Sequence, residues 1–110
     1  MRRMVLSVLA ILSLSEAAPA LAQPAPPPGS IADREARLAA GIERAARKGG
    51  GLAREEAARL RTGLRRVQRL ERYYRRHERL SIWERRDLER RLDKLAARLA
   101  ADRRTGERRR

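Results

Sequence analysis

Cysteine and phenylalanine are absent from these 110 residues, and the aromatic complement is one tryptophan and two tyrosines. Any core must therefore be aliphatic, and no disulfide can tie the chain together. Acidic residues are also scarce: 14 stand against 28 basic ones, a formal charge of +14 at pH 7. Of those basic residues only Lys48 and Lys94 are not arginine. This balance excludes an acidic or neutral protein and favours anionic partners. Proline is missing from Ile31 to Ala101, where Ala, Leu, Arg and Glu, all strong helix formers, predominate. The length admits one small domain.

Long hydrophobic runs are missing too, apart from one near the start. Met1-Arg2-Arg3 supplies a positive flank, Met4 to Leu14 is an 11-residue apolar run, and Ala20-Leu21-Ala22 offers small residues where a signal peptidase reads them. The pattern is that of a secretory signal peptide over 1–22, cleaved after Ala22. A membrane span would need roughly 18 or more apolar residues, and Ser13, Ser15, Glu16 and Pro19 end this run too early. Cleavage would remove only Arg2, Arg3 and Glu16 among the charges, so the mature chain stays strongly cationic. The expected location is periplasmic or secreted. A small exported chain without disulfides must rely on helix packing or on a partner.

Gln23 to Ser30 reads Q-P-A-P-P-P-G-S, where prolines deny backbone donors and favour an extended linker. The helical domain is expected over 31–101. Ile31, Leu38, Ile42 and Ala45 share a face, predicting a first helix over about 32–48. Gly49-Gly50-Gly51 breaks it and supplies left-handed backbone. These glycines lack the Gly-Lys-Ser/Thr ending and the preceding strand of a phosphate-gripping loop. Ala57, Leu60, Leu64 and Val67 mark a second helix over about 54–76, and Leu88, Leu92, Leu95 and Leu99 a third. Ser81 and Glu84 form a capping box at the start of the third, each side chain bonding the other's backbone N–H. Residues 102–110, ending in three arginines, read as a basic disordered tail.

Sliding Ile42–Arg69 over Leu70–Ala97 aligns Glu43 with Glu71, Leu52 with Leu80, Glu56 with Glu84, Leu60 with Leu88 and Leu64 with Leu92, a repeat with a spacing of 28. The two units overlap, so the central helix serves both. It must then show two apolar faces, and Leu70, Tyr74 and His77 do lie roughly 80° round from the Leu60–Leu64 stripe. The fold expected is all-α, an antiparallel three-helix arrangement built from two overlapping 28-residue helical hairpin units. Glu71 continues the Leu60, Leu64, Val67 series, where an unpaired carboxylate is costly, and the hairpin register brings Arg34 opposite it as the expected partner.

The segments Leu52-Ala53-x-x-Glu56-Ala57-x-x-Leu60 and Leu80-Ser81-x-x-Glu84-Arg85-x-x-Leu88 resemble the LTxxQ motif of small periplasmic helical proteins of the Spy and CpxP type. Ala53 and Ser81 stand where Thr is usual, Glu56 and Glu84 where Gln is usual. The resemblance implies a chaperone or a regulator of envelope stress. The layout is also similar to short exported proteins of GC-rich bacteria, a likeness that implies no function.

Catalytic groups are sparse. His77 is the only histidine, with Glu78 the only metal-ligating neighbour in sequence, so neither a metal site nor a cofactor is expected. Ser30 falls in the linker and Ser81 in a cap, which leaves no nucleophile with a paired base. No enzyme is expected. What stands out is charge: nine arginines lie between Arg59 and Arg79, opposed only by Glu71 and Glu78. Arg65, Arg66, Arg69, Arg72, Arg75 and Arg76 are the candidate anion-binding residues, because planar guanidinium groups bind phosphates and carboxylates bidentately. The bland alternative is a solvated helix face. Ile82 and Trp83 lie off the leucine seam and read either as packing against the preceding helix end or as a partner contact.

Two function classes follow. One is an exported, non-enzymatic basic protein that engages anionic envelope components, such as lipopolysaccharide phosphates or acidic membrane surfaces, or acidic proteins. The other is a periplasmic chaperone-like or regulatory protein acting through protein contacts. Peripheral membrane association and oligomerisation fit either class. Nucleic acid is disfavoured as a partner, since export removes the chain from it and no recognition motif is present.

Overall fold

The computed structural model describes residues 24–109, and the segment read as a signal peptide lies outside them. Three helices, α1 (Ile31–Ala46), α2 (Arg54–Tyr74) and α3 (Ile82–Arg108), account for most of these residues, and a single 3₁₀ turn, Arg75–His77, extends the end of α2. Each helix contacts both others. No helix among the described residues is long and apolar enough to cross a membrane.

Local chemistry sets the ends. Ser30, read as part of the linker, is instead the N-cap of α1: its hydroxyl accepts from Asp33 N–H at 3.1 Å, and the Asp33 carboxylate accepts from Gly29 N–H at 3.0 Å. α1 stops at Ala46, and Arg47 to Gly50 form a turn closed by Gly50 N–H donating to Arg47 O at 2.8 Å. Gly49 takes φ +86° there, a conformation that a side chain would oppose. The box at α3 is complete, with Glu84 N–H donating to Ser81 Oγ at 3.1 Å and Ser81 N–H to Glu84 Oε1 at 2.9 Å. Only half of it exists at α2, because Ala53 has no side-chain acceptor: Glu56 Oε1 accepts from Ala53 N–H at 3.3 Å.

The buried residues follow the spacings that formed the helices. Ile31, Leu38, Ile42 and Ala45 on α1, Ala57, Leu60, Leu64 and Val67 on α2, and Leu88, Leu92 and Leu99 on α3 make an aliphatic core, with Leu52 sealing it from the loop. Each fully buried Leu, Ile or Val contributes about 1.5–3 kcal/mol relative to exposure. Leu70 and Tyr74 pack against this core from the second face of α2, whereas His77, assigned to the same face, is exposed in the 3₁₀ turn.

α3 does not end where its leucines do. It runs on through 102–108, the stretch read as a tail. There the bare backbone of Gly106 lies directly on the backbone of Gly51, so the last turns of α3 cover the α1–α2 loop. A second glycine, Gly63, brings α2 onto Leu95 of α3, whose Cδ2 would stand 2.7 Å from any Cβ placed at 63.

Candidate anion-binding surface

α2 positions most of the candidate arginines. Arg65, Arg69 and Arg72 lie within about 60° of one another around the helix, and Arg76 follows them into the 3₁₀ turn. All four are exposed. Arg65 donates to Thr62 Oγ1 at 3.3 Å, and the Arg76 guanidinium sits 5.1 Å from the centre of the Tyr73 ring. Among the described residues none of the four has a carboxylate within ion-pair distance.

Two candidates depart from this face. Arg75 Nε donates to Glu71 Oε2 at 2.9 Å, so its charge is engaged within α2. Arg66 turns toward α3 and lines the groove between the two helices. That groove is divided by the Gly63–Leu95 contact into two open clefts of about 460 and 480 Å³. Arg59, Arg66 and Arg98 rim the first, and Arg66, Arg90, Arg91 and Lys94 the second. A third cleft, of about 370 Å³ between α1 and α3, has Arg34, Arg37, Arg44 and Arg103 around a floor that includes Leu38, Leu92 and Leu99.

The cationic surface is thus wider than α2. Basic residues of α3 were readable from their helical spacing at 91, 94 and 98, which puts them on one side of that helix. What sequence could not give is their meeting with Arg66 across the groove. Some charge is internally spent: Arg61 forms a bidentate pair with Glu43 of α1 at 2.7 and 2.8 Å. That hydrogen bond holds the Glu43 carboxyl below its ordinary range and raises the Arg61 guanidinium.

Glu71 does not pair with Arg34. Arg34 instead binds Asp93 of α3, and Glu71, held by Arg75, faces Glu35 of α1. Arg34 and Glu35 are neighbours about 100° apart on α1, so when Glu35 turns to α2 its neighbour turns to α3. Glu35 is the one buried charged side chain among the described residues, and its Oε2 has no hydrogen-bond partner. Burial first, then the hydrogen bond and charge of Glu71, push its carboxyl up to about 8, with Arg75 and Arg72 opposing. The signal was present in sequence, since Glu35 occupies a core position of the Ile31, Leu38, Ile42 stripe.

The two serines among the described residues are committed to caps, Ser30 to α1 and Ser81 to α3. Among the described residues no three His, Asp or Glu side chains converge as metal ligands would. Trp83 lies largely in solvent, 71% exposed, and Ile82 is 72% exposed. They occupy the first two positions of α3 after the Ser81 cap, and that first turn points away from the leucine seam.

No family model, curated protein or solved structure matches the chain. The likeness to the Spy and CpxP type rests on the two nine-residue segments around Ala53 and Ser81 alone.

Proposed function

We propose that this chain is an exported, non-enzymatic helical protein whose arginine surface binds polyanionic components of the cell envelope. The observation that carries the reading is the row Arg65, Arg69, Arg72 and Arg76, exposed on one side of α2 and lacking carboxylate partners among the described residues. Guanidinium groups so close together act jointly, because screening at physiological salt extends over about 8 Å. Phosphates of lipopolysaccharide or of acidic lipids match them in charge and in bidentate geometry. Export is inferred from the charged, apolar and small-residue sequence of Met1 to Ala22.

The antiparallel hairpin reading of the architecture belongs to the same proposal. Glu43 meets Arg61 and Glu35 meets Glu71 between α1 and α2, while Gly63 meets Leu95 and Tyr74 meets Asp87 between α2 and α3. In both pairs of helices residue numbers rise on one as they fall on the other. Leu52 and Leu80, each beside the core just ahead of a cap, support the overlapping repeat.

The test is a salt series on vesicles containing lipopolysaccharide, comparing wild type with the triple variant Arg69→Gln, Arg72→Gln, Arg76→Gln. Wild-type affinity should fall steeply with salt, and the variant should bind more weakly while keeping its helical circular dichroism. Equal binding by both across the series would reduce the arginines to a solvated face. The protein-contact reading, chaperone-like or regulatory, would then take over, favoured by the exposure of Ile82 and Trp83.

A further inference from the structure

The exposed large apolar side chains among the described residues are Tyr73, Ile82 and Trp83, and all three belong to one end of the molecule. Tyr73 lies in the last turn of α2, and Ile82 and Trp83 open α3. The backbone holds them there. Glu78 takes φ +80°, its N–H bonding Arg75 O at 2.9 Å, and Leu80 packs against the core just before the cap. The complete capping box then fixes Ile82 and Trp83 outward, with about seven-tenths of each in solvent.

Their surroundings are cationic. Arg76 stacks over the Tyr73 ring, and Ile82 and Trp83 share a small cleft of about 190 Å³ with Arg86 and Arg90. Of the nearby carboxylates, Glu84 is engaged by Ser81 N–H, Asp87 by Tyr74, Arg90 and Arg91, and Glu89 by Arg85, which leaves Glu78, exposed in the turn, against Arg76, Arg79 and Arg86. An apolar tip ringed by guanidinium groups is complementary to a surface that is anionic outside and apolar just beneath. A bilayer interface has that profile, and Trp and Tyr rings settle at headgroup depth within it. Three side chains cannot supply the roughly 800 Å² per partner of a stable protein interface.

We propose that the α2–α3 turn is a membrane-docking tip, at which Ile82 and Trp83 enter the headgroup boundary of an anionic bilayer while Arg76, Arg79 and Arg86 bind lipid phosphates. This rests on the anion-binding reading and adds an apolar contact that salt does not remove.

Trp83 is the only tryptophan in the chain, so emission of the intact protein reports this site directly. With vesicles of phosphatidylcholine and phosphatidylglycerol, its emission should shift to shorter wavelength and be quenched by lipids brominated on the acyl chain. The double variant Ile82→Ser, Trp83→Ser changes two side chains that lie outside the core; it should keep its helicity and bind these vesicles about tenfold or more weakly by co-sedimentation. Binding of soluble inorganic polyphosphate should be the same in both. Vesicle binding with unshifted, unquenched emission and no effect of the double variant overturns the tip and leaves the arginine surface standing. No binding to vesicles or polyphosphate at low salt overturns both readings. A shift with an acidic unfolded client such as α-casein, and with no vesicle, overturns the lipid assignment in favour of a protein partner.

Discussion

The carboxyl of Glu35 on α1 is buried against that of Glu71 on α2, with Arg75 holding the Glu71 side and one Glu35 oxygen left without a partner. Burial, and then the hydrogen bond and charge of Glu71, favour the protonated form of Glu35. The folded-state value for Glu35, about 8, stands above its ordinary value of 4.5. Folded chain therefore holds a proton that unfolded chain has released between these two values. Stability is fully present below pH 4.5 and falls as pH rises toward 8, by at most about 1.4 kcal/mol per pH unit. Glu35→Gln, which keeps shape and a hydrogen-bond donor without titrating, should flatten the dependence of Tm on pH across this window and stabilise the protein at pH 8. An unchanged slope in the variant would take Glu35 out of the pH dependence.

The two N-caps make a matched pair of tests. Ser81→Ala should cost about 1 kcal/mol, since it takes away the oxygen that satisfies Glu84 N–H. Ala53→Ser should do the reverse at α2, completing a box in which Glu56 already bonds Ala53 N–H, for a gain of about 0.5–1 kcal/mol. Urea melts of the two variants moving in the same direction would contradict this account of the caps.

Element ends and the leucine seams were legible because they are local: Ser81 with Glu84, the run Gly49–Gly51, and helical spacings each act within a few residues. Three things were not. Glu35 sits in an apolar stripe, and only the partner helix reveals that another carboxylate faces it. α3 passes its last leucine, and the contact that seats this extension, Gly106 on Gly51, is distant in sequence and invisible to periodicity. Trp83 near a helix start reads either as packing or as a contact, and its exposure depends on how that turn sits on the neighbouring helix. The arginines of α2 were found by composition, while their division among a free face, a groove and an internal pair depended on the neighbouring helices.

Gly106→Ala separates local from tertiary control. Helix propensity alone would make the change stabilising by about 1 kcal/mol. The new Cβ would instead meet the Gly51 backbone, which cannot swing aside as a side chain can. A net loss of about 1–3 kcal/mol is expected, with lower helicity from fraying of the last turns of α3. Gly63→Ala is the control, because the group it meets is the movable tip of Leu95, and its effect should be smaller. Raised stability in Gly106→Ala would show that the end of α3 does not rest on the loop.

Tyr74 and Asp87 tie the end of α2 to α3, the Tyr74 O–H donating to Asp87 Oδ2 at 2.7 Å while Arg91 Nε donates to the same oxygen at 3.0 Å. The tyrosine hydrogen bond is the main cause that holds Asp87 below its ordinary range, and the same bond raises the Tyr74 hydroxyl. A depressed carboxyl contributes stability above its unfolded value, and that stability is lost as pH falls through the folded one. Its direction is opposite to that of Glu35, so the protein should be most stable in mildly acidic solution. Tyr74→Phe keeps the ring against the core and removes only the donor, at a cost of about 0.5–1.5 kcal/mol. Asp87 should then titrate at higher pH, read from its carboxyl carbon by NMR, and the variant should lose less stability on acidification than wild type. Because Arg90 and Arg91 remain, Asp87 should not return fully to the ordinary value. An unmoved Asp87 titration in Tyr74→Phe would assign the shift to the arginines and take the tyrosine out of the link.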